Sequence, residues 1–144
     1  MPKDYPDHHD AELVLRLYEL RREPVMRESR KMITTQFLPR SYDDLMAVTR
    51  FEHPMNAAFR QTTSYWEMAF GMARHGIIHA DYLAEHTGEG LLLFAKIHPY
   101  LGAYRKDVSP RGFLGAEWVA TQCEMGRTIF AAMQARVKKQ TEAR

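Results

Sequence analysis

The sequence predicts an all-α fold, a single-domain helical bundle of five to seven helices, on three observations. Apolar residues recur at helical spacing through most of the chain. No stretch alternates apolar and polar residues for long enough to read as a strand. Pro and Gly fall where helices would begin or stop. A chain of 144 residues with 45% hydrophobic content is long enough to bury one core without disulfide or metal staples.

Residues 1–6, with Pro2 and Pro6, read as a disordered lead-in, followed by a helical bundle domain over 7–138 and a frayed tail over 139–144. Asp7 and Asp10 occupy the N-cap and third positions of a first helix carrying Leu13, Leu17 and Leu20 on one face. Pro24 opens a second helix at its first position, and Pro39 follows its end near Phe37. Ser41 to Asp44 has the form of a capping box for a short helix reaching about Arg50.

The main helix starts near Met55. Phe59, Thr62, Thr63, Ala69, Phe70 and Ala73 all fall within about 60° of Trp66 on it, an apolar stripe that ends at the Gly76 stop. A short helix over Asp81 to His86 comes next. The segment from Glu89, including Leu91 to Phe94, is apolar on nearly all sides and predicts a central helix, with a kink or restart at Pro99. Ser109 and Pro110 read as the N-cap and first position of one last long helix, from about Arg111 to Lys138.

The search for chemistry returns no catalytic, cofactor-binding or metal-binding residues. No Glu is followed three residues later by His, as helical di-iron sites require. His75 and His79 have zinc-pair spacing, but Gly76 interrupts the helix that would align them. The scattered set Glu67, His75, His79, Glu85, His86, Glu117 and Glu124 is the remaining route to a metal site. Phosphate-loop and nucleophile-elbow patterns are absent. Cys123, the lone cysteine, sits mid-helix on an apolar flank as a small buried hydrophobe, and its solitude fits a reducing, cytoplasmic setting. There is no secretory signal and no apolar run near the ~20 residues of a membrane span.

Two groups of residues stand out. Glu67 lies at the edge of the Trp66 stripe; with Arg105 and Glu117 it forms a candidate structural polar network that would fix helix register. Tyr65, Trp66 and Trp118 are candidate core or interaction aromatics. The basic cluster from Arg21 to Lys31, interleaved with Glu23 and Glu28, reads as a solvated helix face. The net charge of +2 argues against a nucleic-acid binder.

The order Arg27-Glu28-Ser29-Arg30, Asn56 to Glu67, Gly76-Ile77-Ile78, Pro99-Tyr100 to Arg105, and Phe113 to Trp118 resembles a bacterial domain-of-unknown-function family. Its members are small helical proteins, many with a transmembrane helix before the domain. Their aromatic-plus-Glu motif on a long helix and the following turn correspond to Tyr65-Trp66-Glu67 and Gly76-Ile77-Ile78, and a later aromatic-Glu-Trp pattern to Phe113 through Glu117-Trp118. The resemblance spans about residues 13–125 and implies a fold but no activity. The function expected is therefore that of a non-catalytic helical interaction domain, homo-oligomeric or with a protein partner, rich in Met and Tyr for adaptable contacts. The alternatives are a metal- or small-ligand-binding bundle, or a weak binder of anionic polymer or membrane through Arg21 to Lys31.

Overall fold

The computed structural model describes residues 3–143 and is all-α. The helices are α1 (His8–Arg21), α2 (Pro24–Gln36), α3 (Tyr42–Thr49), α4 (Asn56–Arg74), α5 (Ala80–Glu85), α6 (Gly88–Ile97), α7 (Leu101–Asp107), α8 (Leu114–Gln122) and α9 (Glu124–Glu142); a 3-10 turn (His98–Tyr100) joins α6 to α7. The chain is thus divided more finely than the five to seven helices expected. The long helix α4 lies between α2 and α8, and α6 packs on α9. The neighbours of α9 also include α5 and α8, while α1 lies at the periphery against α2 and α5.

Local signals set several helix ends. Asp7 and Asp10 form a reciprocal capping box at the start of α1. Pro24 occupies the first turn of α2, and Ser41 accepts from the Asp44 N–H at the start of α3. Gly76, at φ 74°, stops α4 in the left-handed region, and the Ile77 N–H reaches back to the Met72 carbonyl at 2.8 Å. Phe59, Thr62, Tyr65, Trp66, Ala69, Phe70 and Ala73 make up the buried face of α4. Every residue of α6 from Gly90 to Ile97 is buried.

Three boundaries differ from the sequence reading. The expected helix from Arg111 to Lys138 is two helices, because Cys123 is extended (φ −127°, ψ 148°) and turns the chain there. The corner lets α8 pack on α4 while α9 packs on α5 and α6. Ser109 does not start α8. Its carbonyl accepts from the Gly112 N–H in a turn, and α8 begins at Leu114 after Phe113, a buried aromatic held at φ 61°. Finally, α9 continues to Glu142 through the segment expected to fray. Of the expected lead-in, Met1 and Pro2 lie outside the described residues; Lys3 is anchored, its ammonium 2.9 Å from the Asp10 carboxylate.

The corner at Cys123 leaves no room at Gly126. A Cβ there would lie 1.9 Å from the Val119 carbonyl oxygen and 2.8 Å from the Cys123 sulfur. Gly126→Ala is expected to destabilise the domain by about 3 kcal/mol, seen as a lowered urea midpoint.

Asp10 generates a second prediction. The carboxylate is fully buried and accepts from the Asp7 N–H at 2.8 Å, Lys3 Nζ at 2.9 Å and the His79 N–H at 2.9 Å. Burial pushes its pKa up, but these donors outweigh it and hold the pKa at about 2, below the ordinary 3.8. In acid the unfolded chain takes up this proton before the folded one does. The stabilisation is therefore complete above about pH 4 and is lost as pH falls toward 2. Asp10→Asn should flatten this acid limb in chemical denaturation measured across pH.

Candidate functional site

The polar cluster around Glu67 is built where three helices meet. From α4, the Glu67 carboxylate accepts the N–H groups of Gly115 at 3.0 Å and Ala116 at 2.9 Å. These are first-turn amides of α8, whose own N-cap residue, Phe113, offers no side-chain oxygen. Glu67 thus serves as the cap of a helix 48 residues further along the chain. Close approach makes this reach feasible, because a Cβ on Gly115 would lie 3.1 Å from both the Gly71 nitrogen and the Phe70 Cβ. Burial pushes the Glu67 carboxyl up, while the two amides and the Arg105 and Arg74 charges pull it down; the net is upward.

Arg105, on α7, donates through Nε to the Gly112 carbonyl at 2.9 Å and through a terminal nitrogen to Glu117 at 3.0 Å. It ties the loop before α8 to the first turn of that helix. Glu67 and Glu117 therefore take different partners around one helix start, with Arg105 bonded to Glu117 and only electrostatically coupled to Glu67. Both Glu67 carboxylate oxygens are thus engaged by backbone N–H groups, and one Glu117 oxygen by Arg105.

Tyr65 and Trp66 are buried, and Trp118 is half-buried. The Tyr65 hydroxyl donates to the Leu17 carbonyl, and burial pushes its pKa up to about 12. Both residues line a cavity of about 420 Å³ between α1, α4 and α5, with Tyr18, Tyr82 and Arg21 at its wall. The Arg21 guanidinium lies 4.9 Å from the Tyr18 ring centroid and 5.8 Å from that of Trp66.

Within the basic cluster from Arg21 to Lys31, Arg22, Arg27 and Lys31 are exposed, while Arg30 is tied into the fold. Arg30 makes a bidentate ion pair with Glu89 at 2.7 and 3.0 Å and also donates to the Arg21 carbonyl at the end of α1. Arg27 donates to the Arg22 carbonyl at 2.8 Å. Arg21 is set against the aromatic rings.

The metal route dissolves in space: among the described residues, no three His, Cys, Asp or Glu side chains come close enough to hold an ion. His79 instead caps α5, its Nδ1 accepting from the Tyr82 N–H at 3.1 Å, and His75 is exposed. The buried Cys123 thiol donates to the Val119 carbonyl, and burial pushes its pKa up to about 11, far from a reactive thiolate.

The sequence reading missed the long-range partners of three charged residues. Asp10 bonds the His79 N–H, Asp81 accepts the Met125 N–H at 2.9 Å in the first turn of α9, and Lys96 is buried within α6. Asp10 had a partial signal in its capping-box position. Asp81 and Lys96 had none, because their partners lie 44 and 63 residues away.

Removing the Glu67 carboxylate leaves two buried amides without partners. Glu67→Ala should cost about 1–3 kcal/mol in urea unfolding, and Glu67→Gln, which keeps one acceptor, should cost less. A Glu67→Gln variant as stable as the native chain would indicate that packing of the stem, and not the cap, carries the loss in Glu67→Ala.

No curated protein and no solved structure matches the chain. One family model does, over residues 6–123, which include the Glu67 motif, the Gly76 turn and the whole of α8. The chain belongs to the family described as Domain of unknown function (DUF4760).

Proposed function

We propose that this protein is a non-catalytic helical interaction domain that self-associates through the outer face of α1. The observation that carries this reading is where its exposed apolar side chains lie. Of nine large ones among the described residues, Leu15, Tyr18 and Leu20 lie on α1 and Val25 follows in the first turn of α2. Leu15 is 62% exposed and Tyr18 49%, and both border the aromatic cavity.

The occupant is a second copy, because the face is complementary to itself. If two α1 helices cross antiparallel about a point midway between Leu15 and Tyr18, Leu15 of each copy meets Tyr18 of the other. The same two-fold register makes that contact twice, and the exposed Glu12, Arg16 and Glu19 flank it on α1. Apolar anchors at the centre with charged residues around them is the usual anatomy of such a contact. The ionisable groups described above support a non-catalytic reading, since Glu67, Asp10 and Cys123 are each engaged by backbone.

Light scattering over a range of concentrations should give a mass near twice 16.8 kDa for the native chain. Leu15→Glu should return it to a monomer with unchanged helical circular dichroism. A native chain that stays monomeric throughout, or a Leu15→Glu variant that still dimerises, would overturn the reading.

A further inference from the structure

A second surface, away from α1, has a different chemistry. A cleft of about 500 Å³ opens between the α2–α3 connection, the end of α6 and the last turns of α9. Three cations line it, Arg40, Lys96 and Lys138, and among the described residues no carboxylate does. Among the described residues, none of the three forms an ion pair within 4.0 Å. The acids around it are engaged elsewhere. Glu89 is held by Arg30 and by the Thr34 hydroxyl, and Asp44 accepts the Arg40 backbone N–H at 2.9 Å.

Lys96 is the unusual member, at only 3% exposure. Its ammonium donates to the Ile33 and Thr34 carbonyls at 3.0 and 3.2 Å, in the last turn of α2. A lysine ammonium has three N–H donors, so one has no protein partner among the described residues. Burial lowers its pKa to about 8; the Arg136 charge pushes in the same direction, and Glu89 opposes both. Excess positive charge in a half-enclosed space favours an anion. The remaining wall is stiff and partly apolar, with Pro39 and Pro99 facing the cleft and the Tyr100 hydroxyl bonded to the Pro39 carbonyl.

We propose that this cleft between the α2–α3 connection, α6 and α9 binds a compact phosphate-bearing anion through Arg40, Lys96 and Lys138. An arginine fork and two ammonium groups suit a multiply charged phosphate better than a single carboxylate. The volume exceeds what a bare phosphate fills and lies in the range of small-molecule pockets, so the group arrives on a small organic body or on a lipid headgroup.

The test uses the full chain at low ionic strength, with inorganic pyrophosphate as the soluble probe followed by calorimetry. Phosphatidylcholine vesicles, with and without a phosphorylated inositol lipid, form a second arm read by co-sedimentation. Saturable pyrophosphate binding is expected, weakened at least tenfold in Arg40→Ala/Lys138→Ala, whose mutated side chains are both exposed. The distal pair Arg16→Ala/Arg22→Ala should leave it unchanged. Pyrophosphate binding without retention on vesicles assigns a soluble phosphate ligand; selective retention on the phosphorylated lipid assigns a headgroup. Absence of both kinds of binding, or equal weakening by the distal pair, overturns the proposal.

Discussion

Short helices create a specific difficulty, and the way this chain meets it governs the rest of the structure. Every helix leaves its first N–H groups and last carbonyls without partners, so a fold of many brief helices has much of its backbone at such ends. Here several ends are closed by charged side chains from other helices. Glu67 caps α8, Asp81 bonds the first turn of α9, and Asp10 bonds the His79 amide just before α5. Lys96 and Arg30 do the converse at the carbonyl ends of α2 and α1. The charges have the sign the helix dipole favours at each end. Each contact also fixes where one helix starts relative to another, which apolar packing alone, being non-directional, does less well.

This explains which parts of the fold are legible in the sequence. Ends closed by their own neighbours were readable, because the signal lies within four residues: Asp7 with Asp10, Ser41 with Asp44, Pro24, and the Gly76 turn. The start of α8 was not. Ser109 and Pro110 carry the local signature of a helix start, yet the amides that need a cap belong to Gly115 and Ala116 and find it in Glu67. Phe113, without a polar side chain and at positive φ, is a poor cap by any local rule, and only an external carboxylate makes it tolerable. The corner at Cys123 was hidden for the same reason, since Asp81 supports the start of α9 from a distance.

The candidate site follows the same division. The sequence drew attention to Glu67, Arg105 and Glu117, and all three surround the start of α8, although Glu67 reaches backbone and not Arg105. Their grouping was legible because an acid at the edge of an apolar stripe needs a partner. Which partner it finds depends on how closely α4 and α8 approach, and that is set by Gly115 against Gly71 and Phe70. Lys96 shows the opposite case. Within the run from Leu91 to Ile97 a lysine would be expected to snorkel outward, but the open end of α2 lies within its reach and keeps it inside.

When so many half-buried charges are matched to a helix end or an opposite charge, the unmatched ones become informative. Arg30 illustrates why a basic residue in a basic run need not belong to a binding face, since it turns inward onto Glu89 and the Arg21 carbonyl. Arg40 and Lys138 come from segments almost a hundred residues apart and suggest no cluster when read along the chain, yet they line one cleft together with Lys96. The same logic applies to apolar groups. Leu13 and Leu17 pack inward on α1, whereas Leu15 and Tyr18 on the same helix are exposed beside an aromatic cavity. The α1 helix is tied to its neighbours at its start through Asp10 and at its end through Arg30. Less conformational entropy is then lost when a second surface docks on it.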